Sequence, residues 1–201
     1  MLKGIDVSHH NKYQIFPTND KKPIIDFSKH DFVIMKATEG RSYIDPMLDD
    51  YLKLLMPDQL YGFYHFARPE RNKAKEEAEH FCKTIGKYGE CAMLVLDWEA
   101  QAVAQPIEWA LDWMRIVERE YGKKPLIYCS SWYTKKCKPL LENNNGLWVA
   151  HYTSKKAPTV YVYPTFAMWQ YTSEPYDKDV FNGTRKQWVK YCTRRDLIYG
   201  I

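Results

Sequence analysis

Short apolar runs alternate with stretches of helical spacing along this chain, five of each before Gly146. The runs cover residues 2–7, 32–37, 61–66, 92–97 and 125–129. A continuous apolar run of this length, bounded by polar or turn residues, predicts a strand buried on both faces. The intervening stretches predict helices. A short one covers 24–28, and 45–55 carries Leu48, Tyr51, Leu52 and Leu55. Residues 72–85 place Ala74, Ala78, Phe81 and Ile85 on one face, and 106–121 do the same with Trp109, Trp113, Ile116 and Val117. Residues 131–141 form the fifth. After Gly146 the pattern changes: 147–152, 166–171 and 179–181 predict strands with only loop between them, and 184–192 a terminal helix. Alternation calls for parallel strands with crossover helices, an α/β class. About eight strands without linker or repeat point to one closed barrel domain over 1–201. An open doubly wound sheet is the alternative, but no G-x-G-x-x-G follows the first run and no Walker loop is present.

The apolar runs end alike. Ala92-Met93-Leu94-Val95-Leu96 leads into Asp97-Trp98-Glu99, and strand alternation puts both acids on one face with Trp98 opposite. The other runs end at Asp6, at Lys36 with Glu39, at His65, at Tyr128, at His151 with Tyr152, and at Gln170 with Tyr171. Any one of these is explained by a strand emerging into solvent. Their recurrence at the same end, where parallel barrels carry their working residues, predicts a shared cleft.

Several acids among many aromatics suit one chemistry. The chain has 7 Trp, 16 Tyr and 8 Phe, 15% of its residues, and flat rings suit the C–H faces of sugars. Glycoside hydrolysis needs a protonated acid for the leaving oxygen and a second group to meet positive charge at the anomeric carbon. Crowded, partly buried acids supply both states, because repulsion and desolvation separate their pKa values. Asp6, Asp97 and Glu99 form such a set. A zinc site from His9, His10, His65, His151 and Asp97 is the competing chemistry. It lacks H-E-x-x-H, and adjacent His9 and His10 would face apart if extended, so no metal is expected. Ser130-Ser131 lacks the G-x-S-x-G elbow, and Cys129 is expected to be an inert buried thiol.

The net charge of +4 favours approach to an anionic surface such as a bacterial wall, while the scattered Lys and Arg argue against nucleic acid. Five cysteines, an odd number without C-x-x-C spacing, predict mostly buried thiols from a reducing compartment. No apolar stretch is long enough to span a membrane. Met1-Leu2-Lys3-Gly4 runs straight into a strand, so no signal peptide is expected.

Together these residues resemble a known family. Gly4-Ile5-Asp6-Val7-Ser8 looks like the G-x-D-x-S opening of the family 25 glycoside hydrolases, the Chalaropsis-type N-acetylmuramidases. Lys36-Ala37-Thr38-Glu39-Gly40 resembles their K-A-T-E-G, and Gly62-Phe63-Tyr64-His65-Phe66-Ala67-Arg68 their G-x-Y-H-F-A-R. Asp97-Trp98-Glu99 is similar to their D-x-E, while Leu147-Trp148-Val149-Ala150-His151-Tyr152 and Trp169-Gln170-Tyr171-Thr172-Ser173 resemble later strands. The resemblance covers nearly the whole chain. It implies an irregular TIM-like barrel of five β/α units followed by three closing strands. It also implies cleavage of the β-1,4 bond from N-acetylmuramic acid to N-acetylglucosamine in peptidoglycan, without metal or organic cofactor. By motif, Glu99 would be the general acid, Asp97 would stabilise the substrate N-acetyl group or the charge, and Asp6 would support both. Tyr176-Asp177-Lys178-Asp179-Val180-Phe181-Asn182-Gly183 resembles the family's V-D-x-N-x-F-N-G, so Asp177 matches the family Asp and Asp179 replaces the usual Asn. The expected substrate contacts are Lys36, Glu39, Tyr64, His65, Tyr128, Trp148, Tyr152 and Gln170. The expected partner is the glycan strand of bacterial peptidoglycan, met by a monomer acting on the cell wall. That fits a phage endolysin released from a host cytoplasm or an extracellular bacterial lysozyme. A catalytically silent sugar-binding barrel is the alternative from another class. In a third reading Asp97 and Glu99 only brace the barrel through Lys36 or Arg68.

Overall fold

The computed structural model describes residues 1–18, 21–153 and 156–194. Its strands are β1 (Leu2–Val7), β2 (Phe32–Glu39), β3 (Tyr43–Ile44), β4 (Leu60–Phe66), β5 (Met93–Asp97), β6 (Leu126–Ser130), β7 (Leu147–Ala150), β8 (Met168–Thr172) and β9 (Lys178–Phe181). The sheet runs β1-β9-β8-β7-β6-β5-β4-β2-β3, and a further pairing of β1 with β2 closes it. The two-residue β3 is a ribbon on the edge of β2, so the barrel consists of the other eight strands. Neighbours are parallel from β1 through β8, and β9 runs antiparallel to both β8 and β1.

The helices are α1 (Lys12–Ile15), α2 (Leu48–Leu54), α3 (Ala74–Ile85), α4 (Ile107–Tyr121), α5 (Lys138–Glu142) and α6 (Arg185–Cys192). Helices α1 to α5 follow β1, β2, β4, β5 and β6 in turn, and β7, β8 and β9 complete the wall. This is the irregular α/β barrel expected from the sequence. Helix α4 buries Ala110, Trp113, Met114, Val117 and Tyr121, and it stops where Gly122 takes φ +65° and its N–H returns to the Glu118 carbonyl. Thr184 caps α6 in a capping box with Gln187. Two predicted helices are shorter than expected. The 24–28 segment yields only a 3-10 turn at Phe27–Lys29, capped by Asp26, since so few residues cannot repay helix nucleation. The 131–141 stretch breaks into a 3-10 turn, Ser131–Lys136, and α5, because Pro139 in the first turn of α5 has no N–H to continue a helix from upstream.

Side-chain alternation sorts the strands into two apolar layers. Val33, Met35, Phe63, Leu94, Leu96, Ile127 and Val149 point outward and pack against the helices. Phe32, Ile34, Met93, Val95, Leu126, Trp148, Met168 and Phe181 fill the barrel, with Trp188 of α6 packed among them. Gly4 opposes Phe32 across the β1–β2 pairing, and a Cβ there would lie 2.5 Å from the Phe32 carbonyl oxygen, so only glycine lets the strands approach. The buried Lys123 ammonium lies 2.6–2.8 Å from the carbonyls of Gly89, Glu90, Ala92 and Cys192, tying the α4–β6 connection to the α3–β5 connection and α6. All five cysteines are unpaired, with Cys129, Cys137 and Cys192 buried.

Candidate active site

The inward-facing positions change character along each strand. Apolar residues fill the lower barrel, and two residues further on the same face turns polar: Ile34 gives way to Lys36, Gly62 to Tyr64, Val95 to Asp97, Leu126 to Tyr128, Met168 to Gln170. Gly4 gives way to Asp6, and on the antiparallel β9 Phe181 precedes Asp179 in depth. These ends open into a cleft of about 340 Å³ lined by Asp6, Lys36, Tyr64, Asp97, Glu99, Tyr128, Trp148, Tyr152, Gln170 and Asp177, with Ser8, His10, Asn11 and Phe66. A larger cavity of about 670 Å³ lies at the other end, between Leu60, Tyr121 and Trp188. Among the described residues no comparable set of strand-end acids and amides meets there, so the chemistry belongs to the smaller cleft.

Gln170 organises the floor. Its Nε2 donates to Asp6 Oδ2 at 2.7 Å, and its Oε1 accepts from the hydroxyls of Tyr128 at 2.9 Å and Tyr152 at 2.7 Å. Asp97, at the end of β5, is buried, and its Oδ1 has no partner among the described residues. Glu99 stands at the mouth in extended conformation, starting the 3-10 turn Ala100–Ala104. Trp98 between them turns away and is buried against Trp109 of α4, which locks the acids' common face. Lys36 Nζ donates to Glu39 Oε2 at 2.7 Å and lies 4.8 Å from the Phe66 ring centre. Arg68 in turn donates from Nε to Glu39 Oε1 at 2.8 Å.

Burial dominates the electrostatics. It pushes Asp6 up to about 7, with the charge of Asp177 adding to the effect and the Gln170 N–H opposing it. Asp97 is raised well above the ordinary carboxylate range by burial and then by Glu99. Glu99 is raised by burial and then by Asp177, against the pull of Lys36. Burial also raises Asp177. Burial alone would raise Glu39, but Lys36 and Arg68 hold it below its usual value. A set of raised acids at one mouth can supply a proton near neutral pH, beside groups able to meet positive charge.

Two expected contacts lie elsewhere. His65 neighbours Tyr64 on β4, so alternation sends it to the opposite face, where it is fully buried behind the barrel wall. There the neutral imidazole donates from Nε2 to Glu77 Oε2 at 2.7 Å, accepts at Nδ1 from the Thr38 hydroxyl, and stacks on Trp113. Glu39 lies outside the cleft and reaches it only through Lys36. Trp148 sits beneath the cleft, almost wholly covered, and spends its indole N–H on Asp179 at 2.9 Å. The open aromatic surface at the mouth is Tyr152, 54% exposed. Of the two acids before and within β9, Asp177 lines the cleft and Asp179 is buried beside Asp6. His9 and His10 do not face apart: they lie in a 3-10 turn with ring centres 3.9 Å from each other, and His9 is held by Asp45. Among the described residues, no three His, Cys, Asp or Glu side chains group as a metal site needs. Ser8, His10 and Asn11 also line the cleft, and the polar stretch directly after β1 is the only sign of this in the sequence.

The family model for the glycosyl hydrolases family 25 matches residues 5–180. An uncharacterised Escherichia coli K12 protein, YegX, is 28% identical over 165 residues, 76% of this chain and 60% of its own length. The lysozyme of Streptococcus phage Cp-1 is 29% identical over 192 residues, 88% of this chain and 52% of its own. This chain therefore spans little more than half the length of these relatives. The crystal structure of a bacterial lysozyme from Streptomyces coelicolor superposes with a TM-score of 0.77 at 24% identity, over 95% of this chain and 96% of that one, which is likeness of fold.

Proposed function

The chain belongs to glycosyl hydrolase family 25, and on that premise we propose that it cleaves the β-1,4 bond from N-acetylmuramic acid to N-acetylglucosamine in bacterial peptidoglycan. The convergence of Asp6, Asp97, Glu99 and Asp177 on one cleft carries this reading. Glu99 is the general acid. Its raised carboxyl keeps a proton for the leaving glycosidic oxygen, and its place at the mouth gives the sugar access. As that C–O bond breaks, positive charge grows at the anomeric carbon. Asp97 lines the cleft beside Glu99, where its carboxyl meets the charge or orients the N-acetyl group that assists. Asp6, fixed by Gln170, and Asp177 complete the negative field. Water then adds at the anomeric carbon and gives its proton back to Glu99. Tyr152 offers a ring face to a sugar, while Tyr64, Tyr128, Lys36 and Gln170 shape the floor. The substrate places the chain's work at the bacterial wall, which its net positive charge favours.

The test is release of reducing ends from purified peptidoglycan, with mass spectrometry of the reduced products. Wild type is expected to yield N-acetylmuramic acid at the new reducing end. Glu99→Gln is expected to lose about 100-fold or more in kcat while unfolding at the same temperature. Equal activity of the variant would sink the assignment. A wild type that binds glycan without releasing ends would make the barrel a silent binder.

A further inference from the structure

Beneath the cleft lies a carboxyl that the reaction above does not use, Asp179, paired with one that it does, Asp6. Asp179 on β9 and Asp6 on β1 share the barrel interior on paired antiparallel strands, and the two carboxyls are in hydrogen-bonding contact. Each has one oxygen claimed by an N–H: Gln170 Nε2 donates to Asp6 Oδ2 at 2.7 Å, and Trp148 Nε1 donates to Asp179 Oδ1 at 2.9 Å. Asp179 is fully buried, and its Oδ2 receives no donor from any described residue. Two ionised carboxylates in contact, out of water, repel strongly, so one must hold a proton. The oxygen without a donor is where that proton resolves both faults: it ends the repulsion and gives Asp6 a second hydrogen bond.

We infer that Asp179 is a positioning residue, a carboxylic acid that donates from Oδ2 to Asp6 and so holds the Asp6 carboxyl aimed at the cleft. The pair is faced by Lys36 of β2, Tyr64 of β4, Asp97 and Glu99 at the end of β5, Tyr128 of β6, Tyr152 after β7 and Asp177 before β9. The acids among them outnumber the single lysine, whose ammonium is engaged by Glu39, and this keeps the proton on the pair. Burial foremost, then Asp6, holds Asp179 well above the ordinary carboxylate range, while its hydrogen bond lowers Asp6. Trp148 acts at one remove, because its N–H fixes which oxygen of Asp179 is left to donate.

The positioning role rests on the muramidase reading; the place of the proton does not. Asp179→Asn keeps an N–H donor of the same shape, whereas Asp179→Leu removes it. The asparagine variant is expected within about three-fold of wild-type kcat/KM, with the acid limb of the pH profile unmoved. The leucine variant is expected to lose about ten-fold or more, and its acid limb should move up by about one pH unit, since Asp6 loses a donor to its ionised form. A wild-type-minus-Asp179→Asn infrared difference spectrum at about pH 7 should show a buried carboxylic-acid carbonyl band. Equal loss in both variants, an unmoved acid limb in the leucine variant, or absence of that band would overturn the inference. If wild type cleaves nothing, the muramidase reading fails, and the infrared band alone decides where the proton lies. The same measurement decides if the leucine variant does not fold.

Discussion

Asp6 brings a titration into the fold that the unfolded chain lacks. Its carboxyl sits at about 7 in the folded protein against an ordinary 3.8. Between those values the folded state keeps a proton that the unfolded chain has released. Stability therefore falls as pH rises through this window, and the loss is complete above it. Asp6→Asn removes the titration and leaves an amide that still accepts from Gln170. Its thermal midpoint should exceed wild type at about pH 8 by roughly 2–8 °C, from about 1–2 kcal/mol, and the gap should close at about pH 4. An equal gap at both pH values would show that Asp6 is not the group that titrates. His65 makes the opposite point about single residues. It stands beside Tyr64 at the end of β4, and parity alone separates the residue that faces the cleft from the one that faces the core. The alternation that placed Asp97 and Glu99 together in the sequence also forbids Tyr64 and His65 from sharing a face.

Between elements, His65 anchors a fully buried polar tie. Glu77 of α3 is fully buried and accepts from His65 Nε2, from the Arg68 backbone N–H at 3.0 Å and from Asn72 Nδ2 at 2.7 Å. One carboxylate thus anchors α3 to β4 and holds the loop whose Arg68 steadies Glu39 and, through it, Lys36. Glu77→Ala leaves these donors unpaired in the core. It is expected to cost about 3 kcal/mol or more in urea unfolding, through a lower midpoint. A shift below about 1 kcal/mol would mean that water or a rearranged loop replaces the carboxylate. Element types were legible because each helix has an apolar stripe and each strand an apolar run. Lengths were less so: α5 and the turns around His9 and Phe27 are set by caps, a proline and packing partners rather than by periodicity.

At the scale of the molecule, the barrel ties the chain's beginning to its end. Strand β1 pairs with β2 on one side and with β9 on the other, so residues 2–7 lie between strands remote in sequence. No part of the wall can leave without breaking pairings on both flanks. Calorimetry should therefore give one unfolding transition with equal calorimetric and van't Hoff enthalpies, as one domain requires. Two separated transitions would divide the chain into units that the sheet does not.

The sequence by itself determined the class of fold, the order of its eight barrel strands and the Asp97-Trp98-Glu99 mouth, because periodicity is local and strand alternation is exact. It also carried the family, since several short motifs stand in one order along the chain. Only the tertiary structure decided which strand ends share the cleft, that Asp177 rather than Asp179 lines it, and that Asp179 meets Asp6 beneath it. Those facts depend on the register of β9 between β1 and β8, a pairing across more than 160 residues that no local pattern encodes.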